Sequence, residues 1–123
     1  MSHMPEQPLL AVEWWDDYFS EGGGWEANRG RMQTRRFAEV FCEHTHLDCD
    51  APCTILDPSC ALGDAMPVLR RHFPNARLFA SDFSEVAVRR AREQFGVLAE
   101  FSVRSMDHIE GVYDNEVCLV KLG

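Results

Sequence analysis

No stretch of about 18 or more consecutive apolar residues occurs in the chain, so no segment reads as a helix that crosses a bilayer. The N-terminus lacks the basic region, apolar core and small-residue cleavage site of a secretory signal, and a cytoplasmic location is expected. Basic charge is scarce. Twelve Lys and Arg stand against 20 Asp and Glu, a formal net charge of −8. A general nucleic-acid surface needs an excess of cations to neutralise phosphates, so none is expected. The five cysteines are an odd number without a secretory signal and read as reduced thiols, not as a disulfide framework. Cys42, His44, His46, Cys49 and Cys53 fall close together, but the Cys-x-x-Cys knuckle is missing. Cys42 and His44 are two apart and diverge on a helix, which fits no closed tetrahedral zinc site. That segment reads as a helix end and a polar linker, and no metal is expected.

What is present suits one globular domain of 123 residues, 46% hydrophobic and 26% charged. Met1, Ser2, His3 and Met4 read as a tag remnant, and residues 5–8, broken by proline, as an unpacked arm. Residues 9–50 carry leading helices, and residues 54–123 alternate strand and helix. The organising stretch is 54–73. A short apolar run, Thr54-Ile55-Leu56, ends in a carboxylate, Asp57, and a turn of small residues follows: Pro58, Ser59, Cys60, Ala61, Leu62, Gly63. Asp64 stands at a helix N-cap position, where its side chain can accept from free amides. Pro67 falls in the first turn, where its missing N–H is tolerated. Ala65, Val68, Leu69, His72 and Phe73 then recur at helical spacing. Strand, tight turn and helix together open a Rossmann-like βαβ unit. Residues 77–82 read as the second strand, ending in Asp82, 19 positions after Gly63. An acid there suits a ribose diol, because a carboxylate accepts from both hydroxyls.

An acid closing strand one, a small-residue turn and an acid closing strand two resemble motifs I and II of class I S-adenosylmethionine-dependent methyltransferases. The family's usual turn is acid-x-Gly-x-Gly-x-Gly. Here it is Asp57-x-Ser59-x-Ala61-x-Gly63, with Ser and Ala in place of two glycines. A nicotinamide or flavin turn is the rival. It would place its third glycine at Asp64 and does not require an acid at position 57. The string from Trp14 to Phe41 is similar to the leader of one group of bacterial class I methyltransferases. That likeness makes Tyr18, Trp25, Arg31, Gln33 and Thr34 candidates for the cofactor or substrate pocket. For Tyr18 and Arg31, packing or surface roles are weighed equally with binding, and Trp14 and Trp15 read as core.

The remaining elements follow from spacing. Residues 9–19 place Ala11, Trp14, Trp15, Tyr18 and Phe19 on one helical face. Gly22, Gly23 and Gly24 read as a flexible hinge. The second helix is expected to bury Phe37, Val40, Phe41 and His44. Ser84 caps a helix that buries Ala87, Val88, Ala91 and Phe95, with Arg89, Arg90 and Arg92 on its solvated outer face and Gly96 as its C-cap. Strands are expected at 98–104 and 117–120. The fold expected is α/β, a Rossmann-like parallel sheet of about four strands, order 3-2-1-4, with leading helices. The C-terminal strands of the full methyltransferase fold are absent from this length, which implies a shortened piece, a lost half or a half supplied by a partner.

The resemblance implies S-adenosylmethionine as cofactor and S-adenosylhomocysteine as product. It implies that Asp57 orients the methionine moiety and that Ser59, Cys60, Ala61 and Gly63 form a backbone floor. Asp82 would bind the ribose, Phe83 and Met106 would sandwich the adenine, and Asp107 would accept its amino group. No catalytic base is assigned; His108 and Tyr113 lie near the pocket edge by sequence alone. A cofactor-binding module without an acceptor, or a metal-stabilised interaction protein, are the alternatives. The uncharged strand Val117-Cys118-Leu119-Val120 predicts a homodimer paired through that edge.

Overall fold

The computed structural model describes residues 11–105 and the backbone of Val117–Leu119. The tag remnant, the 1–8 arm, Met106, Asp107, His108, Tyr113 and Val120 lie outside the described residues. In order, the elements are α1 (Val12–Phe19), α2 (Gly24–Ala27), α3 (Gly30–His44), β1 (Thr54–Asp57), α4 (Ala65–His72), β2 (Arg77–Asp82), α5 (Glu85–Phe95), β3 (Glu100–Val103) and β4 (Val117–Leu119).

All four residues of β1 are buried, as in a strand covered on both faces. It pairs in parallel with β2, Leu56 opposite Phe79, and β2 pairs in parallel with β3, Ala80 opposite Phe101. The result is a three-stranded parallel sheet with β2 at its centre. The backbone of β4 runs parallel along the other side of β1, Ile55 opposite Cys118. Side chains alternate across the sheet. Ile55, Leu78, Ala80 and Phe101 form a single core with Ala38 of α3, Met66 and Leu69 of α4, and Val88 and Ala91 of α5.

Four helical features differ from the sequence expectation. In α3 the buried residues are Gly30, Thr34 and Ala38, a row of small residues at spacing four. Phe37 is 54% exposed and His44 is exposed, while Phe41 still reaches Phe73, 6.2 Å between ring centroids. Gly30 lies against the Trp25 indole, and Ala38 joins the core with Met66 and Leu69 of α4. In α1 only Phe19 is buried; Trp14 is 37% exposed and stacks on Tyr18 at 5.0 Å. The glycine loop is packed at Gly23 and Gly24 and open at Gly22. A Cβ at Gly24 would overlap the ring of Tyr18, and one at Gly30 would overlap the indole of Trp25. Of the three arginines on α5, Arg90 donates to the Phe19 carbonyl (2.8 Å) and to Glu26 (3.0 Å), and Arg92 donates to the Phe101 carbonyl (2.7 Å). Arg89 and Arg92 are nonetheless exposed, as expected, Arg89 paired loosely with Glu93, so only Arg90 departs from the solvated face.

Candidate functional site

The turn between β1 and α4 lies at the carboxyl ends of the parallel strands, where open α/β sheets bind ligands. Asp57 ends β1 and is 1% exposed. Its Oδ1 accepts from the Ser59 amide at 3.1 Å, an Asx turn that starts the bend. Ala61 then adopts φ 51° and Gly63 φ 84°, both left-handed. Those are the positions where the family's turn carries glycine. Gly63 is also a packing site: a Cβ there would press on Ala91, Phe95 and Phe101 at 3.0–3.1 Å.

Asp82 joins this turn to β2. One carboxylate oxygen accepts from the Ala61 amide (3.0 Å) and the other from the Ser84 amide (3.1 Å). The Cys60 amide donates to the Ser81 carbonyl at 2.9 Å, a second tie between the same segments. Asp82 is 4% exposed. Burial pushes its carboxyl up, opposed by the amides of Ser84, Ala61 and Phe83. Burial also pushes the Cys60 thiol well up, and Asp57 and Asp82 add to the effect. Cys60 is therefore held as a neutral thiol and is no nucleophile.

The leading helices cover the turn. Phe19, Ala61, Leu62 and Ala87 form a second apolar cluster, with Trp15, Tyr18 and Trp25 packed against it. The Ser84 hydroxyl donates to Asp16 of α1 at 2.6 Å while it caps α5 through the Ala87 amide. Asp64 does not cap α4. Its Oδ1 instead accepts from Arg31 of α3 at 2.9 Å, and Oδ2 is buried without a hydrogen-bond partner. Burial raises the Asp64 carboxyl, with Arg31 pulling it down. Arg31 also bonds Glu26 and Gln94, so Glu26, held by Arg90, Arg31 and the Gly22 amide, stays below the ordinary carboxylate range.

The structure thus brings Asp57, Ser59, Cys60, Ala61, Gly63 and Asp82 together around one turn. Phe83 follows Asp82 and sits edge-on to Trp15 at 6.0 Å. The Tyr18 hydroxyl accepts from Asn28, and its ring belongs to the aromatic cluster. Arg31 reaches the end of the turn through Asp64. Gln33 is exposed, with no side-chain bond to the turn among the described residues. Thr34 is buried and donates its hydroxyl to the Gly30 carbonyl within α3. Asp16, Glu26, Asp64 and Arg90 take part in ways that spacing did not signal, because their partners are remote in the chain. Cys42 and Cys53 are partly buried and Cys49 is exposed; the ligand atoms of Asp48, Cys49 and Asp50 lie within 4.8 Å of one another at the surface. No described helix is long and apolar enough to cross a membrane.

No protein-family model and no curated protein matches the sequence. Solved structures do. One is coclaurine N-methyltransferase bound to N-methylheliamine and S-adenosylhomocysteine: TM-score 0.56, 15% identity, 70% of this chain and 26% of that one. A second is the plantazolicin methyltransferase BpumL with a monoazolic substrate analogue and S-adenosylhomocysteine: TM-score 0.54, 21% identity, 81% of this chain and 44% of that one. A third is a TehB-like methyltransferase from Corynebacterium glutamicum: TM-score 0.54, 14% identity, 77% and 52%. The fold is that of part of class I S-adenosylmethionine-dependent methyltransferases. The chain spans between 26% and 52% of the length of these three structures.

Proposed function

We propose that the chain is the S-adenosylmethionine-binding part of a methyltransferase acting on an acceptor not yet identified. The observation that carries this reading is the β1–α4 turn, with Ala61 and Gly63 left-handed and the carboxylate of Asp82 braced against it. The donor set fits the cofactor. The Asp82 oxygens accept from backbone amides, and a carboxylate has about four lone-pair sites, so acceptor capacity remains for a ribose hydroxyl. Asp57 ends the adjacent strand, placed to orient the ammonium of the methionine moiety, directly or through water. Ser59, Cys60, Ala61 and Gly63 offer backbone where a larger side chain would keep the ligand away. Phe83 lines the adenine side, with Met106 and Asp107 completing it. Tyr18, Gln33 and Thr34 belong to the leader, and Arg31 acts through Asp64.

The cofactor supplies a methyl group on a sulfonium centre, already a good leaving group, so the protein's task is chiefly positioning. This chain contributes binding and orientation, and the acceptor site and any base belong to the rest of a longer fold. In that fold the sheet begins in the order 3-2-1-4, with β4 beside β1. A reducing cytoplasm suits the unpaired cysteines. Two copies pairing through β4 form the homodimer, which sedimentation equilibrium reads directly; a monomer at all micromolar concentrations would exclude it.

Calorimetric titration with S-adenosylhomocysteine tests the cofactor reading. Stoichiometric binding that is weakened about tenfold or more by Asp57→Asn is expected, the scale of a lost hydrogen bond to a charged group. Absence of binding at millimolar ligand by a folded chain would refute it.

A further inference from the structure

A cavity of about 730 Å³ lies away from the turn, and none of residues 57–64 lines it. Its walls include Arg77, Phe79, Arg92, Glu100, Ser102 and Arg104. Arg77 and Phe79 alternate with Leu78 and Ala80, and Phe79 pairs with Glu100, so this wall is the sheet face opposite the helical core. Arg92 enters from α5 past the free edge of β3, where it bonds the Phe101 carbonyl. A smaller neighbouring cavity, about 290 Å³, shares Arg77, Phe79 and Glu100.

Among the described residues, none of Arg77, Arg92 and Arg104 forms an ion pair, although five other arginines do. Each is instead oriented by a single neutral contact. The Arg77 guanidinium lies 5.1 Å from the centroid of the Phe79 ring. Arg104 donates its Nε to the Ser102 hydroxyl at 3.2 Å, and Arg92 donates one Nη to the Phe101 carbonyl. Among the described residues, the terminal N–H groups of Arg77 and Arg104 have no hydrogen-bond partner. Among the described lining residues, three guanidiniums stand against one carboxylate, Glu100, the reverse of a chain whose net charge is −8.

We propose that this cavity binds a small phosphate-bearing molecule. The planar fork of arginine matches phosphate oxygens two at a time, and pre-orientation reduces the entropy lost on binding. The volume falls within the roughly 300–1,000 Å³ of small-ligand sites. A long polyanion such as nucleic acid would meet the acidic remainder of the surface, so the charge pattern selects a compact anion. Glu100 at the same wall accepts from hydroxyl or amino groups on the ligand body and disfavours a ligand that is phosphate throughout. The site is independent of the methyltransferase reading.

The test is titration of the full chain with inorganic pyrophosphate, followed by calorimetry and amide chemical shifts. Arg77→Gln and Arg104→Gln should each weaken binding about tenfold, as expected for one lost charge-assisted contact. Glu100→Gln should tighten it. Arg36→Gln, a change of equal charge on the exposed face of α3, should leave it unchanged. Titration of the Arg77 and Arg104 variants with S-adenosylhomocysteine should match the unaltered chain, which separates the two sites. No pyrophosphate binding at millimolar concentration would overturn the proposal. Equal weakening by Arg36→Gln would do the same, since it would mean diffuse attraction and no built site.

Discussion

Removing the Asp82 carboxylate should destabilise the chain as well as weaken ligand binding. Both of its oxygens accept from backbone amides, those of Ala61 and Ser84, and the residue is 4% exposed. In Asp82→Ala those amides lose their acceptor in a buried place. Each orphaned donor costs about 1–3 kcal/mol, so the alanine variant should lose roughly 2–6 kcal/mol. Asp82→Asn keeps one acceptor oxygen but turns an N–H toward the other amide, and should lose about half as much. The raised carboxyl pKa trims these figures. A raised folded pKa contributes stability that is complete below the ordinary value of 3.8 and is lost as the pH rises through the folded value. At neutral pH that contribution is gone, so the alanine loss should fall in the lower half of its range. Urea unfolding followed by circular dichroism at pH 7 measures it, with the asparagine variant between the alanine variant and the unaltered chain. An unchanged midpoint for Asp82→Ala would show that the turn does not depend on this brace. Weakened S-adenosylhomocysteine binding by Asp82→Asn, measured where that variant is still folded, would then report the ribose contact separately.

Three further outcomes follow from the geometry. Ala61 sits at φ 51° with its methyl in the cluster of Phe19, Leu62 and Ala87. Glycine there relieves about 1–2 kcal/mol of left-handed strain but loses a buried methyl worth about 0.8 kcal/mol and gains unfolded-state freedom, so Ala61→Gly should stay within about 1 kcal/mol of the unaltered chain. Ala61→Val should lose more than about 2 kcal/mol in the same unfolding experiment, since a branched side chain fits neither the backbone nor the space. Glu26 is held below its ordinary 4.5, first by its bond to Arg90. A lowered folded pKa contributes stability that is present above 4.5 and lost as the pH falls through the folded value. Glu26→Gln should therefore lower Tm at pH 7, less so in high salt, and the difference should close on acidification; a gap constant across that range would remove Glu26 as a charge hub.

Much of the fold was legible in the chain because it is local. The apolar run 54–56, the small-residue turn, Pro67 and the spacing of Val68 and Leu69 specify strand, turn and helix within twenty residues, and they fold as read. Ser84 caps α5, and Ala87, Val88 and Ala91 are its buried stripe, again from neighbours in sequence. The two acids at the ends of β1 and β2 could be placed for the same reason: a parallel pair in register brings strand ends together. The choice of partners could not be read this way. Asp64 has the chemistry of an N-cap, yet Arg31, 33 residues earlier, takes its carboxylate once α3 lies on α4. Arg90 has the spacing of a surface residue, yet the leader brings Phe19 and Glu26 to it. In α3 the larger side chains suggested the buried face, but packing against the Trp25 indole and the sheet core covered Gly30, Thr34 and Ala38 and left Phe37 outside. Secondary structure and strand-end chemistry depend on periodicity and propensity, which a sequence carries residue by residue. Which charge meets which, and which helix face is covered, depends on distances that exist only after the helices have packed.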